Sequence, residues 1–247
     1  MKELRKNISK ATIDYQLIED HDHIAVGFSG GMDSFALVLG LHLLKQYSPL
    51  NFTFDVFYME MGFDNMDITA SATWCESLGY PLHIIPTDIV KILKLHPQKN
   101  NEYSCSICSK LKKGYFIDYI KKTNANKVAF AHHGDDAIET LFLNMVYGAK
   151  IATFMPKMYL TRQDITFIRP LIYMRKSTIS AYKDMYQWPV CESTCPNNHH
   201  TQRDEIRLLI EQFYRHHELA KHNLLKMIYN DEQVDLWQPI LQEKSKK

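Results

Sequence analysis

No apolar run in this sequence approaches the roughly 18 residues needed to span a bilayer. An excess of one charge is also missing: Lys and Arg total 29 against 28 Asp and Glu, a formal net charge of +1. A nucleic-acid binder usually carries a basic excess, because its cations neutralise phosphates. Any basic surface here must therefore be local. The opening Met1-Lys2-Glu3-Leu4-Arg5-Lys6 leads into an amphipathic stretch without the apolar core of a signal peptide. The expected setting is cytoplasmic, with no membrane partner. Internal repeats and low-complexity linkers are absent. Cysteine is sparse, at five residues: Cys75, Cys105, Cys108, Cys191 and Cys195. In a reducing compartment a Cys-x-x-Cys pair points to metal or redox chemistry more than to a structural disulfide.

What is present is globular. Apolar residues make up 45% of 247, enough for one large α/β domain, alone or with a helical appendix. Residues 4–20 have helical periodicity. His23–Phe28 is a β-branched, near-continuous apolar run that suits a buried parallel strand. A helix over Phe35–Lys45, a strand over Phe52–Met59, a helix near Met66–Leu78 and a strand at Leu82–Ile85 follow. Cys75 falls beside Trp74 and Leu78 and reads as a core packer. Residues 95–104 are polar and read as a loop. Then come a helix over Ile107–Lys122, a strand at Lys127–Ala131 and a helix over Asp135–Tyr147. This alternation predicts a doubly wound parallel sheet, which binds ligands at the carboxyl ends of its strands. Beyond residue 150, Phe167-Ile168-Arg169-Pro170 is expected to close the sheet edge. Helices are expected over Ser177–Tyr186, Asp204–Tyr214 and Glu218–Met227, before a charged, frayed tail at Glu243–Lys247.

Three segments carry chemistry. Ser29-Gly30-Gly31-Met32-Asp33-Ser34 lies between a buried strand and a helix. Its glycines let a ligand approach the backbone, and the helix start offers unpaired N–H groups to an anion. The hydroxyls of Ser29 and Ser34 add donors. Asp33 repels phosphate unless Mg²⁺ bridges the two. The ordinary alternative is a strand–turn–helix capped by Asp33 or Ser34. The second segment is Cys105-Ser106-Ile107-Cys108, followed by Lys110, Lys112 and Lys113, where helix start and lysines are expected to favour thiolate. Cys191 and Cys195 supply two more thiols downstream. The third is Ala131-His132-His133-Gly134-Asp135-Asp136, where the two aspartates either hold Mg²⁺ and orient an attacking group or cap the helix. The histidines read as structural.

The Ser29–Ser34 loop lacks the Gly-Lys-Ser/Thr ending of a Walker A loop. It resembles the pyrophosphatase loop, Ser-Gly-Gly-x-Asp-Ser, of N-type ATP pyrophosphatases. Across roughly residues 4–215 the ordered motifs resemble the tRNA 2-thiocytidine synthetase family of these enzymes. They are Ser29–Ser34, Cys105–Gly114, His132–Gly148, Met155–Met158, Ile168–Leu171 and the Cys195 segment ending at Arg203. The resemblance implies an adenine nucleotide alpha hydrolase-like sheet at 23–190, an N-terminal helix at 1–22 and a C-terminal cysteine segment with helices at 191–247. It implies ATP, Mg²⁺ and a [4Fe-4S] cluster as cofactors. The cluster would be held by Cys105, Cys108 and Cys195, with Cys191 as the fallback, leaving one iron open for sulfide. Ser29, Gly30, Gly31, Asp33, Ser34, Met59, Ala131 and His132 would contact nucleotide. Asp33 and Asp136 would hold Mg²⁺, and Lys112, Asp135 and Asp136 would join the two cysteines in catalysis. The implied partners are tRNA, a sulfur donor (sulfide, persulfide or a carrier protein) and a second copy in a homodimer. Three departures stand out: Met32 where the family usually has lysine, Cys-Pro-Asn-Asn in place of Cys-Gly-Ser-Gln, and lysines in place of arginines after Cys108, which weakens bidentate phosphate or RNA recognition.

The implied reaction is adenylation of a pyrimidine carbonyl oxygen and its replacement by sulfur, with 2-thiocytidine in tRNA as product. Two other readings remain open on the residues alone. One is an amide ligase or lysidine-forming enzyme, which leaves the cysteines idle. The other is a zinc-stabilised nucleotide or RNA binder without catalysis, which uses all four distal cysteines tetrahedrally.

Overall fold

The computed structural model describes residues 1–96, 103–197, 201–230 and 232. Positions 97–102 of the expected polar loop, Asn198 and the charged tail lie outside the described residues. Six strands and nine helices are seen among the described residues, in the order α1 (Lys2–Tyr15), β1 (His23–Phe28), α2 (Met32–Tyr47), β2 (Thr53–Glu60), α3 (Thr69–Ser77), β3 (Leu82–Pro86), α4 (Ile89–Leu95), α5 (Cys105–Ile120), β4 (Lys127–Ala129), α6 (Gly134–Gly148), β5 (Lys157–Leu160), β6 (Ile165–Ile168), α7 (Lys176–Tyr186), α8 (Gln202–His216) and α9 (Ala220–Ile228).

The strands form one sheet in the order β3-β2-β1-β4-β6-β5. All neighbours are parallel except β5 and β6, which make an antiparallel hairpin. In β1, Ile24, Ala25 and Val26 are all fully buried. Both faces of that strand are covered, which is why its sequence is apolar throughout rather than alternating. Helices α1 and α2 cover one face, with Leu4, Ile8, Phe35 and Leu41 in the core. The other face puts Phe57, Val128 and Phe167 against Phe116 and Ile117 of α5. Cys75 is fully buried and burial pushes its thiol up to about 12, as a core packer requires.

One expectation is corrected. The segment leading to Arg169 does not close the sheet edge; β6 pairs with β4 on one side and β5 forms the edge on the other. Strand β5 is four residues long and only partly covered, so its apolar pattern is weak and its pairing comes from the hairpin. Helix α4 is likewise not evident from periodicity, being seven residues long. Among the described residues no helix is long and apolar enough to cross a membrane.

The chain builds outward from β1 through β2 and β3 on one side, then crosses back to place β4 on the other side of β1. This reversal leaves a crevice at the carboxyl ends of β1 and β4, where this kind of sheet takes its ligand. Residues 29–34 and 131–136 follow those two strands.

Candidate active site

The loop after β1 turns at Gly30, whose φ is +81°. A Cβ there would lie 2.9 Å from Cδ1 of Ile68 and 3.2 Å from Cβ of Cys191, so conformation and space both require glycine. The Cys191 N–H donates to the Gly30 carbonyl at 2.9 Å. The Ser34 hydroxyl donates to the Gly31 carbonyl at 2.6 Å, and Ser29 Oγ accepts the Gly31 N–H at 3.3 Å. Ser34 is thus buried as an internal brace, while Ser29 and Gly31 face the crevice. Met32 packs partly against the core; nothing in the structure explains why it stands where the family usually has lysine.

Asp33 sits in the first turn of α2. Its side chain is 36% exposed, yet Oδ1 is buried without a hydrogen-bond partner. Burial raises its pKa, the nearby His133 lowers it and the Asp136 carboxylate raises it again. At the start of α6, His133 is the cap: its Nδ1 accepts the Asp136 N–H at 3.3 Å, and the Asp136 carboxylate accepts the His133 N–H at 2.9 Å. The helix-capping alternative for Asp136 is therefore real, but it uses one carboxylate oxygen. The other, Oδ1, is 3.6 Å from Nη1 of Arg203. An orphaned carboxylate oxygen on Asp33 near a second carboxylate fits a hard divalent cation such as Mg²⁺. Gly134 lets this turn approach the 172–174 segment: a Cβ would meet the carbonyls of Ile172 and Met174 at 3.1 Å each. Asp135 has its oxygens taken by Arg175 (2.8 Å) and the Lys176 N–H (2.7 Å).

The cysteines divide. Cys108 is partly buried, and burial raises its pKa; Lys112 lowers it, while the neighbouring Cys195 and Cys105 raise it. The expected lowering by helix start and lysines is thus outweighed by desolvation. Cys105 is exposed, and its Sγ accepts from Nδ2 of Asn197 at 3.6 Å. The same amide group donates to the Tyr103 carbonyl at 2.7 Å. Asn197 thus ties the start of α5 to the Cys195 segment, a role that its position in Cys-Pro-Asn-Asn did not suggest. Cys191 stays on the loop after β1, its Sγ 3.7 Å from Sδ of Met66. Among the described residues no set of three or more His, Cys, Asp or Glu side chains is arranged to hold a single metal ion. A cluster distributes its thiolates over separate irons, and Cys105 and Cys195, both close enough to Cys108 to act on it electrostatically, make a thiol donor set that suits it.

One cavity of about 810 Å³ joins these parts. Ser29, Gly31, Met59, His132, Cys108, Lys112 and Cys195 all line it, while its inner wall is aromatic, with Phe57, Phe116, Phe130 and Phe167. That volume is sufficient for a nucleotide. Arg169 lines it as well, a residue to which its motif alone gave no role. Gly30, Ser34, Asp33, Ala131, Asp135, Asp136 and Cys105 are not on this lining.

A family profile described as the PP-loop domain matches residues 2–213. The sequence is 32% identical over 217 residues to the tRNA-cytidine(32) 2-sulfurtransferase of Shewanella amazonensis (strain ATCC BAA-1098 / SB2B), covering 87% of this chain and 68% of that protein. It is 31% identical over 210 residues to the protein of the same name from Photobacterium profundum, covering 85% of this chain and 69% of that one. Among solved structures, the U34-tRNA thiolase NcsA from Methanococcus maripaludis with its [4Fe-4S] cluster superposes with a TM-score of 0.72. The match has 19% identity and covers 95% of this chain and 79% of that one, a likeness of fold.

Proposed function

The chain belongs to the PP-loop domain family, and we propose that it is an ATP-dependent tRNA sulfurtransferase converting cytidine 32 to 2-thiocytidine. The observation that carries this reading is convergence: Ser29 and Gly31 of the loop, Lys112, Cys108 and Cys195 line the same cavity. An amide ligase or lysidine-forming enzyme needs the loop and leaves thiols at that cavity without a role. A zinc-stabilised binder needs four thiolates at about 2.3 Å from one ion, and among the described residues no three His, Cys, Asp or Glu side chains are arranged around a single ion.

The chemistry follows from leaving groups. Cytosine O2 attacks the α-phosphorus of ATP, the bond to the bridging oxygen breaks and pyrophosphate departs. Without activation O2 would leave as hydroxide, whose conjugate acid water has a pKa near 15.7. After adenylation it leaves with AMP, a phosphate monoester with a second pKa of about 6. Sulfur adds at C2, the C2–O bond breaks, and its electron pair goes to the AMP oxygen. When bound, the [4Fe-4S] cluster supplies the place where the incoming sulfur is held; Cys105, Cys108 and Cys195 would hold the cluster.

In this proposal the backbone of Gly30 and Gly31 with Ser29 receives the pyrophosphate end, braced by Ser34. Asp33 and Asp136 would hold Mg²⁺, which when bound would offset the charge of the phosphates. Met59, Ala131 and His132 flank the nucleoside. Lys112 offsets the negative charge of sulfur and adenylate, and Asp135 positions the α6 turn through Arg175. The donor is of the sulfide, persulfide or carrier-protein class, and a cytoplasmic homodimer belongs to the same reading. The test is anaerobic incubation of the cluster-loaded protein with tRNA, ATP, Mg²⁺ and sulfide, followed by nucleoside mass spectrometry. The expected product is 2-thiocytidine at position 32, formed with AMP. Full ATP-dependent activity in Cys105→Ser and Cys108→Ser variants would overturn the cluster mechanism.

A further inference from the structure

Among the described residues, one cation inside the cavity has no anion paired with it. Arg169 follows β6, is 7% exposed and lines the wall shared with Ser29, Gly31 and Cys108. Its Nη1 donates to the Met155 carbonyl, and its guanidinium carbon lies 4.7 Å from the ring centre of Phe154. Its Nε is buried with no hydrogen-bond partner. Burial pulls its pKa down to about 10, so the group stays cationic at neutral pH. A carbonyl dipole and a ring face do not neutralise a full charge, and an uncompensated buried ion is costly. Arginines elsewhere around α6 are paired: Arg175 with Asp135, and Arg203 and Arg207 with Glu139.

The neighbouring strand end supplies His132. Burial, then the charge of Arg169, pushes its pKa down to about 4. It is therefore neutral and provides no counter-charge. Its Nδ1 is also buried without a partner. Since β4 and β6 are adjacent and parallel, His132 and Arg169 follow neighbouring strands, and both line the cavity that holds the loop after β1.

We propose that Arg169, with His132 on its nucleoside side, is the receptor for the phosphoryl group of the adenylate, that is, the α-phosphate of ATP and the phosphate of AMP. The inference rests on the ATP-dependent reading above and divides the triphosphate: the glycine loop takes the pyrophosphate end, and Arg169 takes the group that is transferred. As the C2–O bond breaks, negative charge grows on that phosphate, and a guanidinium fixed in a dry wall stabilises it.

Equilibrium titration of the full-length protein with AMP and with adenosine isolates the phosphoryl contribution. R169Q is expected to bind AMP about 10- to 100-fold more weakly, the equivalent of one charge-assisted hydrogen bond, with adenosine affinity unchanged. If R169Q does not fold by circular dichroism, R169K is read the same way. Lysine keeps the charge and loses the planar fork, so the ratio of AMP to adenosine affinity still falls. An unchanged ratio in the folded variant overturns the inference. So does a variant that binds AMP normally and loses only tRNA affinity, which assigns the group to a backbone phosphate. A parent protein with Arg169-dependent AMP binding that thiolates no tRNA would support this inference while refuting the sulfurtransferase reading.

Discussion

The Nε2 of His133 lies 3.7 Å from Oδ1 of Asp33, which joins the cap of α6 to the loop after β1. Because the Asp136 N–H donates to Nδ1 of the same ring, the ring proton resides on Nε2 and faces Asp33. At that distance the contact is an electrostatic one rather than a hydrogen bond. One imidazole therefore stands between two carboxylates that would otherwise repel each other. His133 itself is 2% exposed.

Asp33 is held against its own solvation. Its folded pKa is raised above 3.8, chiefly by burial. A carboxylate raised in this way destabilises the ligand-free fold as pH climbs through its folded pKa, and costs nothing well below the unfolded value. Asp33→Asn is expected to be more stable than the parent in urea unfolding at pH 7 and equal to it near pH 3. ATP-dependent activity is expected to fall by roughly 100-fold or more, the scale for losing one preorganised electrostatic element. Loss of stability at pH 7 would contradict this account.

The cap is separable from the chemistry. His133→Ala is expected to lower the unfolding free energy by about 1 kcal/mol, the usual value of a helix cap. Asn at the same position can still accept the Asp136 N–H and is expected to recover most of it. An alanine variant as stable as the parent would remove His133 from the capping role.

His132 sets a pH window. Its folded pKa is about 4 against an unfolded 6.5. Between these values the unfolded chain binds the extra proton, so stability is full above pH 6.5 and declines as pH falls to about 4. The contribution is on the order of 3 kcal/mol over that interval. Urea unfolding of the parent and of His132→Gln, compared from pH 7 to 4, is expected to show a shallower decline in the variant. Parallel curves would mean that His132 does not carry the shift.

The thiols are expected to sort by position. Cys105→Ser, Cys108→Ser and Cys195→Ser should each lower iron and acid-labile sulfide after anaerobic reconstitution, with ATP binding kept. Cys191→Ser should retain both iron and sulfide, because that residue packs on the loop. Iron loss in Cys191→Ser with none in Cys195→Ser would reverse the assignment.

How much of this was legible depends on the range of the interactions. The apolar run Ile24–Phe28 and the glycines behind it identify a buried strand and a ligand-binding turn from local patterns alone. The capping box at His133 was not legible, since the usual signature begins with Ser or Thr and a histidine gives no such signal. Cys191 and Cys195 are four residues apart, and no spacing rule separates their roles. The hydrogen bond from the Cys191 N–H to Gly30 does. Thiol acidity at Cys108 was misjudged because lysines can be counted in a sequence and burial cannot.

By itself the sequence determined the alternation of strands and helices, the phosphate-binding loop, the acidic turn and the supply of thiols, because each depends on residues adjacent in the chain. Only the tertiary structure decided that β6 lies inside the sheet, which cysteine sits on the loop and which lies close to Cys108, and that Arg169 is buried without a counter-ion among the described residues. Those properties depend on desolvation and on contacts between residues far apart in sequence. Packing fixes both, and no local pattern encodes either.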